Sequence, residues 1–408
     1  MSTSSVSLAV PLARPRQLSQ QASFALLASI ALFFLAGSSA PTPLYPVYQA
    51  AWGFSPVTVT VIFGIYAIAV LMTLLTFGSL SDYVGRRPVL IVATLMQAGT
   101  MLVFATAHGL GALLVARVLQ GLSTGAAIAA VGAGLLDIDR ALGTTANSVA
   151  PMSGTAIGGI LSGLMVQYLP APTHLVYLLL AGVFVLQAAG VALMPESAAR
   201  RPGALASLRP RLRLPKDLRG AVLLAAPALI GTWALAGFYG SLGPALVRRV
   251  LGSSSLAVGG LTLFVLAGSG ALTVLFLRRW PALRMLNLGA VALIVGVGLT
   301  LVAAARGAAP LFFVGGAIAG AGFGAGFQGA IRTVLPRTAA ADRAGVLSVL
   351  YVISYLAMGL PAVLGGLRVV HGGGLLATSR EYGAGVMLLG ALALAGGLTR
   401  ARRASVRA

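Results

Sequence analysis

The sequence predicts an all-α polytopic membrane protein, with twelve transmembrane helices arranged as two pseudo-symmetric six-helix bundles. Three observations predict it. The 408 residues are 58% hydrophobic and only 9% charged, whereas a soluble domain carries about 25% charged residues. The apolar residues form unbroken blocks of about 20, the length of a spanning helix, not the ten-residue alternating runs of a membrane barrel. The basic residues, finally, collect in alternate breaks between these blocks. Such hydrophobicity also excludes a disordered chain.

The blocks follow in order. The first, 22–44, ends in a stretch broken by Pro41, Pro43 and Pro46. The second, 57–80, stops at the turn before Arg86 and Arg87, and the third, 88–107, at His108. The fourth, 111–136, meets Asp137, Asp139 and Arg140. The fifth and sixth, 145–168 and 174–194, are parted by a turn-rich break. In the second half, 219–245 precedes Arg248, 255–277 precedes Arg278, 285–305 precedes Arg306 and 310–331 precedes Arg332. The last two, 344–367 and 383–399, end before Arg368 and Arg400.

Charge sets the topology. Counting breaks alternately, 22 of the 28 basic residues fall on one side, and only Arg248, Arg249, Arg306, Arg368 and Arg380 on the other. Arg117 alone lies inside a block. By the positive-inside rule both termini are cytoplasmic, which an even number of spans satisfies. The net charge of +21 is thus explained without nucleic acid. With no cysteine, disulfides and thiolate metal sites are excluded. The excess of Arg over Lys points to a GC-rich bacterial genome, hence to a multi-pass protein of the inner membrane. A competing reading of the start takes Arg14, Arg16 and the following FALLASIALFFLAGSSA as a signal peptide; cleavage would leave eleven spans and break the parity.

The chain divides into an N-terminal bundle, 1–195, a basic cytoplasmic linker, 196–218, and a C-terminal bundle with a basic tail, 219–408. The linker is rich in Pro and Arg, and a short amphipathic helix on anionic lipid is one expectation for it. The halves show a faint repeat. Leu35-Ala36-Gly37 recurs as Leu235-Ala236-Gly237, and the Gly-rich fourth block is answered by the tenth. Gly154, Gly158, Gly159 and Gly163 of the fifth are answered in the eleventh by Gly359, Pro361, Gly365 and Gly366. Such small residues let helices approach closely in lipid. Parallel six-helix repeats place a solute site between the halves near the midplane.

Residues 78–90 read GSLSDYVGRRPVL, with Gly78, Leu80, Ser81, Asp82, Gly85, Arg86 and Arg87 in the spacing of the loop signature of the major facilitator superfamily. Arg117 to Gly121 resembles that family's Arg-x-x-Gln-Gly motif. Gly154 to Gly159 is similar to the antiporter motif Gly-Pro-x-x-Gly-Gly, with Thr155 for the proline, and Met194 to Ser197 resembles a short sequence of drug exporters. The chain therefore resembles the twelve-helix drug/proton antiporters of the superfamily. The resemblance implies that Asp82 and Arg86 join an acid at the end of the fourth span, Asp137 first and Asp139 second, to clasp the two halves on the cytoplasmic face when the transporter opens outward. Gly154, Gly158, Gly159 and Pro361 would serve helix sliding or bending.

Arg117 is the most informative residue, because a charge inside a span is costly and usually functional. Gln120 and Thr124, at i+3 and i+7, share its helical face. The alternative is snorkelling to the outer interface. Further cavity candidates are Tyr45, Tyr48 and Gln49 in the first span, Trp233 and Tyr239 in the seventh, and Gln328 in the tenth. Tyr351, Ser354 and Tyr355 complete the set in the eleventh. None of the seven acids falls in mid-span, and His108, His174 and His371 map to outer loops. This excludes an intramembrane metal centre or acid/base pair, so no enzyme and no cofactor are expected. A central arginine without a carboxylate favours a neutral or anionic solute. The expected function is secondary active export of small amphipathic organic compounds by alternating access, the alternative being uptake or facilitated passage of a nutrient. The resemblance implies proton antiport. With no midplane carboxylate, coupling would run through the Asp82 cluster or the solute's own proton, with passive exchange as the fallback. The expected partners are the solute, the bilayer and protons, for a monomeric protein.

Overall fold

The computed structural model describes residues 17–405, apart from 211, 253, 254, 340 and 341, and omits the side chains of 402–405. Arg14, Arg16, Arg211 and Arg407 of the charge argument lie outside these residues.

The first crossing is longer than the block 22–44. Helix α1 (Gln20–Ser39) starts at Ser19, whose hydroxyl accepts from the Ala22 amide, as a helix N-cap does. A single 3-10 turn at Thr42–Leu44 then leads into α2 (Tyr45–Trp52). Pro41, Pro43 and Pro46 lack the amide protons a straight helix needs, so the chain bends here. The N-terminal half continues with α3 (Pro56–Phe77), α4 (Ser81–Val84), α5 (Arg86–Ala105), α6 (Leu110–Ile138), α7 (Arg140–Tyr168) and α8 (Pro172–Leu193).

In the linker only α9 (Ala204–Ser207) is helical before a 3-10 turn at Lys216–Leu218. A four-residue helix is too short to be the amphipathic helix expected there. The linker is instead a strap. The Arg201 amide donates to the Tyr83 carbonyl (2.9 Å), and Ser79 donates to the Ser207 carbonyl (3.3 Å). Further on, Arg213 pairs with Asp342 at 3.3 Å. It therefore touches both halves.

The second half holds α10 (Arg219–Ser241), α11 (Gly243–Leu251), α12 (Leu256–Phe276), α13 (Ala282–Arg306), α14 (Ala309–Val334), α15 (Arg343–Arg368) and α16 (Gly374–Ser405). Helical structure runs from Arg343 to Ala401 without a loop, so the described residues contain eleven continuous membrane-length stretches. They nevertheless make twelve crossings. A π-turn at Val369–Gly373 and Gly374, at φ +66°, reverse the chain. Helix α16 then runs back along α13, with Gly383 against Val297 and Leu301, Gly390 against Ile294, and Gly397 against Asn287.

The repeat is real in three dimensions. Gly121 and Gly125 of α6 seat on the backbone of α3 at Tyr66 and Val70; Gly320 and Gly324 of α14 seat on α12 at Leu266 and Gly270. Two seams join the halves. Along one, Thr60 meets Gly366 and Gly64 meets Gly359, between α3 and α15. Along the other, Gly159 and Gly163 of α7 lie on Gly260 and Ala257 of α12. Toward the end of the molecule opposite the signature loop, Thr42 also donates to the Gly240 carbonyl (3.2 Å). A Cβ at Gly260 would collide with the Gly159 carbonyl oxygen and one at Gly366 with Thr60 Oγ1, whereas Gly359 has room for one at 3.5 Å; the expected small-residue stripes appear at these joints.

Candidate functional site

The charged cluster of the signature loop is built around the start of α5. Gly85 has φ +102°, and the place of its missing Cβ is taken by Glu196, whose Oε2 would lie 2.6 Å away. Only glycine suits both the dihedral and the space. Glu196 accepts from the Arg86 amide (2.7 Å) and the Arg87 amide (3.0 Å), placing a negative charge at the helix N-terminus. The buried Arg86 guanidinium reaches Asp82 (2.5 Å), Asp137 (3.2 Å) and the Ser81 hydroxyl (2.7 Å). Ser197 adds a bond to Asp137 (3.0 Å). Thus Asp82, Arg86 and Asp137 do come together, but the bonds of the cluster stay within the first half and the start of the linker, so it does not itself clasp the two halves in this structure. Asp139 does not join them: it caps α7 by accepting from the Ala141 and Leu142 amides at 2.8 Å. Arg87 turns to the Ala192 carbonyl at the end of α8. Glu196 is a member of the cluster that sequence reasoning missed; its place in the exporter-like stretch is the one signal it carries.

Arg117 is wholly buried, at 0% exposure, so it does not snorkel. Its guanidinium donates to the Ser38 carbonyl (3.0 Å), to Gln120 Oε1 (2.6 Å) and to the Tyr45 hydroxyl. The rings of Tyr45, Tyr66 and Phe104 stand 5.4–5.8 Å from it, within cation–π range. Around this centre Gln120 donates to the Gly37 carbonyl (3.0 Å), Tyr66 and Ser38 share a bond of 2.8 Å, and Tyr48 donates to Tyr177 (3.1 Å). No carboxylate is among these partners. The arginine is held by neutral oxygens and π faces, leaving its positive charge uncompensated in a region of low dielectric.

The facing wall comes from the second half. Trp233 of α10 packs on Tyr355 of α15 (ring centroids 4.9 Å) and on Phe327 of α14 (5.6 Å). Tyr355 and Tyr351 in turn pack with Tyr66, which stands directly before Arg117. Trp233 Nε1 is buried without a hydrogen-bond partner. Gln328 donates across the halves to Ser148. One continuous path of polar and aromatic side chains therefore links Arg117 to the C-terminal half.

The expected site residues sort into groups. Arg117, Gln120, Tyr45 and Tyr48 form the N-terminal network, with Thr124 buried on the same helical face. Trp233, Tyr351, Tyr355 and Gln328 lie at the seam, while Ser354 is buried in α15. Two belong elsewhere. Gln49 Nε2 donates to the Phe54 carbonyl (3.3 Å), closing the end of α2. Tyr239 faces the interior of the second half, lining a cavity with Thr300, Phe312 and Tyr382. Sequence reasoning misses Tyr66, Phe104 and Tyr177; a lone tyrosine in the apolar run IFGIYAIAV is the available signal for the first. Gly154 and Gly158 close on α1 at Leu32 and Ala36, whereas Gly159 serves the seam. Helix α7 does contain a proline, Pro151, one turn before Thr155. Pro361 lies inside α15, and Gly78 ends α3 where the signature loop begins. No group of three metal-ligating acids or histidines occurs among the described residues.

The fold recurs among solved structures. The nucleoside transporter NupG, in a mutant form, matches with a TM-score of 0.70 at 14% identity, over 93% of this chain and all of that one. The human organic anion transporter MFSD10 (TETRAN) matches with a TM-score of 0.64 at 18% identity, over 92% and 100%. In sequence, the inner membrane transport protein YnfM of Escherichia coli K12 is 28% identical over 243 residues, and the match spans 56% of each protein. The profile of the Major Facilitator Superfamily covers residues 27–365. A multi-pass membrane transporter by its helices, its paired halves and its signature loop, the chain belongs to the Major Facilitator Superfamily.

Proposed function

We propose that the protein exports a small neutral or anionic amphipathic organic compound by alternating access, with 1–195 and 219–408 rocking as units about the strap 196–218. The observation that carries the substrate class is Arg117, a buried cation with no carboxylate partner. A positive charge fixed in low dielectric attracts electron-rich groups and repels cations. Trp233 and Tyr355 offer ring faces to the apolar part of such a molecule, and Trp233 Nε1 offers a free donor. In the state described, Tyr45 and Gln120 occupy the guanidinium. A solute oxygen would take the place of one of them when the seam opens.

Export is the direction that the signature motifs resemble. The cluster of Asp82, Arg86, Asp137 and Glu196 supplies a bistable contact on the side where an exporter loads. Both termini would face the cytoplasm of a bacterial cell, since the strap and the tail carry the basic excess.

Solute flux into inverted and into right-side-out vesicles tests the reading, using a panel of cations, neutral compounds and anions. Accumulation of neutral or anionic members in inverted vesicles only, weakened by Arg117→Lys, is the expected result. Preferential transport of permanent cations, indifferent to Arg117→Lys, would overturn it.

A further inference from the structure

On the lipid-facing flank of the first half, helices α3 and α5 diverge above α6 and leave a groove of about 400 Å³ in the cytoplasmic half of the bundle. Phe77, Leu80, Val84, Val92, Met96 and Ala126 line it. The one hydroxyl in its wall, Thr73, is already bonded to the Ala69 carbonyl at 2.9 Å. Nothing in the groove could orient a polar solute, so its contents must be hydrocarbon. Phe77 and Val92 of its lining are exposed, as is Leu95 one turn along α5 from Val92, which opens it to the bilayer and not to the solute path.

The cytoplasmic end of the groove is the signature loop itself, through Leu80 and Val84. Directly beside Val84, the Tyr83 carbonyl holds the strap by the Arg201 amide. This ties the backbone of Arg201 next to the groove's end at Val84, and both Arg200 and Arg201 are exposed there. Apolar depth capped by paired cations is complementary to one kind of molecule in the membrane. The geometry points to a binding site for an anionic phospholipid of the cytoplasmic leaflet, its acyl chain in the α3–α5 groove and its phosphate against Arg200 and Arg201.

The second half supplies a matched control. Helix α13 is the counterpart of α5 and also begins beside a basic loop, with Arg278, Arg279 and Arg284. It is closed onto α14, however, by Gly289 against Gly326 and Gly296 against Ala319. General attraction of anionic lipid to cytoplasmic arginines therefore acts on both flanks, and the groove distinguishes them.

Because the native chain has no cysteine, a single bimane probe can be placed at Leu95→Cys and, in a second protein, at Val291→Cys. Both positions are lipid-exposed, at 50% and 43%, and each is nine residues from the cytoplasmic start of its helix. Quenching by brominated phosphatidylglycerol is compared with quenching by brominated phosphatidylcholine of the same chains, in mixed vesicles. At Leu95 the preference for the anionic lipid should exceed that at Val291 several-fold, because the basic loop before α13 attracts anionic lipid in general but holds it in no groove. Arg200→Gln with Arg201→Gln, or Ala126→Phe to fill the groove floor, should bring Leu95 to the level of Val291. Equal selectivity at the two probes overturns the proposal. So does a preference at Leu95 that survives loss of both arginines.

Discussion

The two halves are built alike around α6 and α14, and they part at one position. Gly121 and Gly125 grip α3 as Gly320 and Gly324 grip α12, so a shift of 199 residues brings one helix onto the other. Under that shift Arg117 falls on Gly316. In the first half the position holds a charge bound by Ser38, Tyr45 and Gln120. In the second it holds no side chain, and the nearest atoms to a Cβ there are Tyr239 Oη at 3.6 Å and Val265 Cγ1 at 3.7 Å. The same difference recurs at the loops that lead into α5 and α13. Arg86 is held by Asp82 and Asp137, whereas residues 278–284 contain no acid. The repeat thus conserves the glycine joints that set helix spacing while confining the two buried arginines, Arg86 and Arg117, to one half. Packing obeys the symmetry; electrostatics does not.

The largest effects should come from the shared joints. Gly158→Val in α7 would drive a side chain into Ala36 of α1, and Gly237→Val in α10 would drive one into the Met358 carbonyl of α15. Each should cost about 3 kcal/mol of stability from overpacking, read as a lowered Tm in detergent. Gly182→Val, with open space around its Cβ position, should leave Tm unchanged. A large loss for only one of the two joints would break the equivalence of the halves.

Next comes the arginine. Arg117→Ala strands the Ser38 carbonyl and Gln120 Oε1 and should lower transport by at least about tenfold, equivalent to 1.4 kcal/mol, within the range of one charge-assisted hydrogen bond. Gly316→Ala should change neither transport nor Tm beyond about 0.5 kcal/mol, since its new methyl makes only ordinary contacts. Comparable losses in the two variants would mean that the polar network is not confined to the first half.

A smaller effect is expected at the loop. Asp82→Asn leaves Arg86 with Asp137 and Ser81, so the fold should survive while the balance between conformations shifts. Transport should fall several-fold, and inter-spin distances across the α3–α15 seam should move. Arg279→Gln in the opposite loop should do neither. The smallest expected effect belongs to Glu196→Gln. It keeps an acceptor for only one of the two amides, since Arg86 and Arg87 bond separate oxygens of the carboxylate, and it removes the charge at the start of α5, worth about 0.3–1 kcal/mol.

What the sequence disclosed follows from these same physical rules. The spans were legible because length and apolarity are local properties of the chain. The tie of Arg117 to Gln120 was legible for the same reason, three residues being one helical turn. Tyr66, Phe104 and Tyr177 were not, because each reaches the network from another helix. The role of Glu196 was hidden likewise, its partners lying 110 and 109 positions earlier. Tyr239 and Trp233 share α10, yet six residues at about 100° each set them roughly 120° apart. They could not both face the seam, and a helix apolar on all sides gives no pattern to say which one does. The break before α16 was visible in composition, but not that the chain would turn there through continuous helix.

The isolated charge at Arg117 also has an electrical consequence. A carrier with one uncompensated positive charge at membrane depth becomes locally neutral when it binds a monovalent anion. The loaded transition would then feel little of the membrane potential, while the return of the empty carrier would sense it. The upper limit is about 2.3 kcal/mol per 100 mV for a unit charge crossing the whole field. For an anion, exchange between two loaded states should therefore be nearly voltage-independent, and net flux, which must include the empty return, should not.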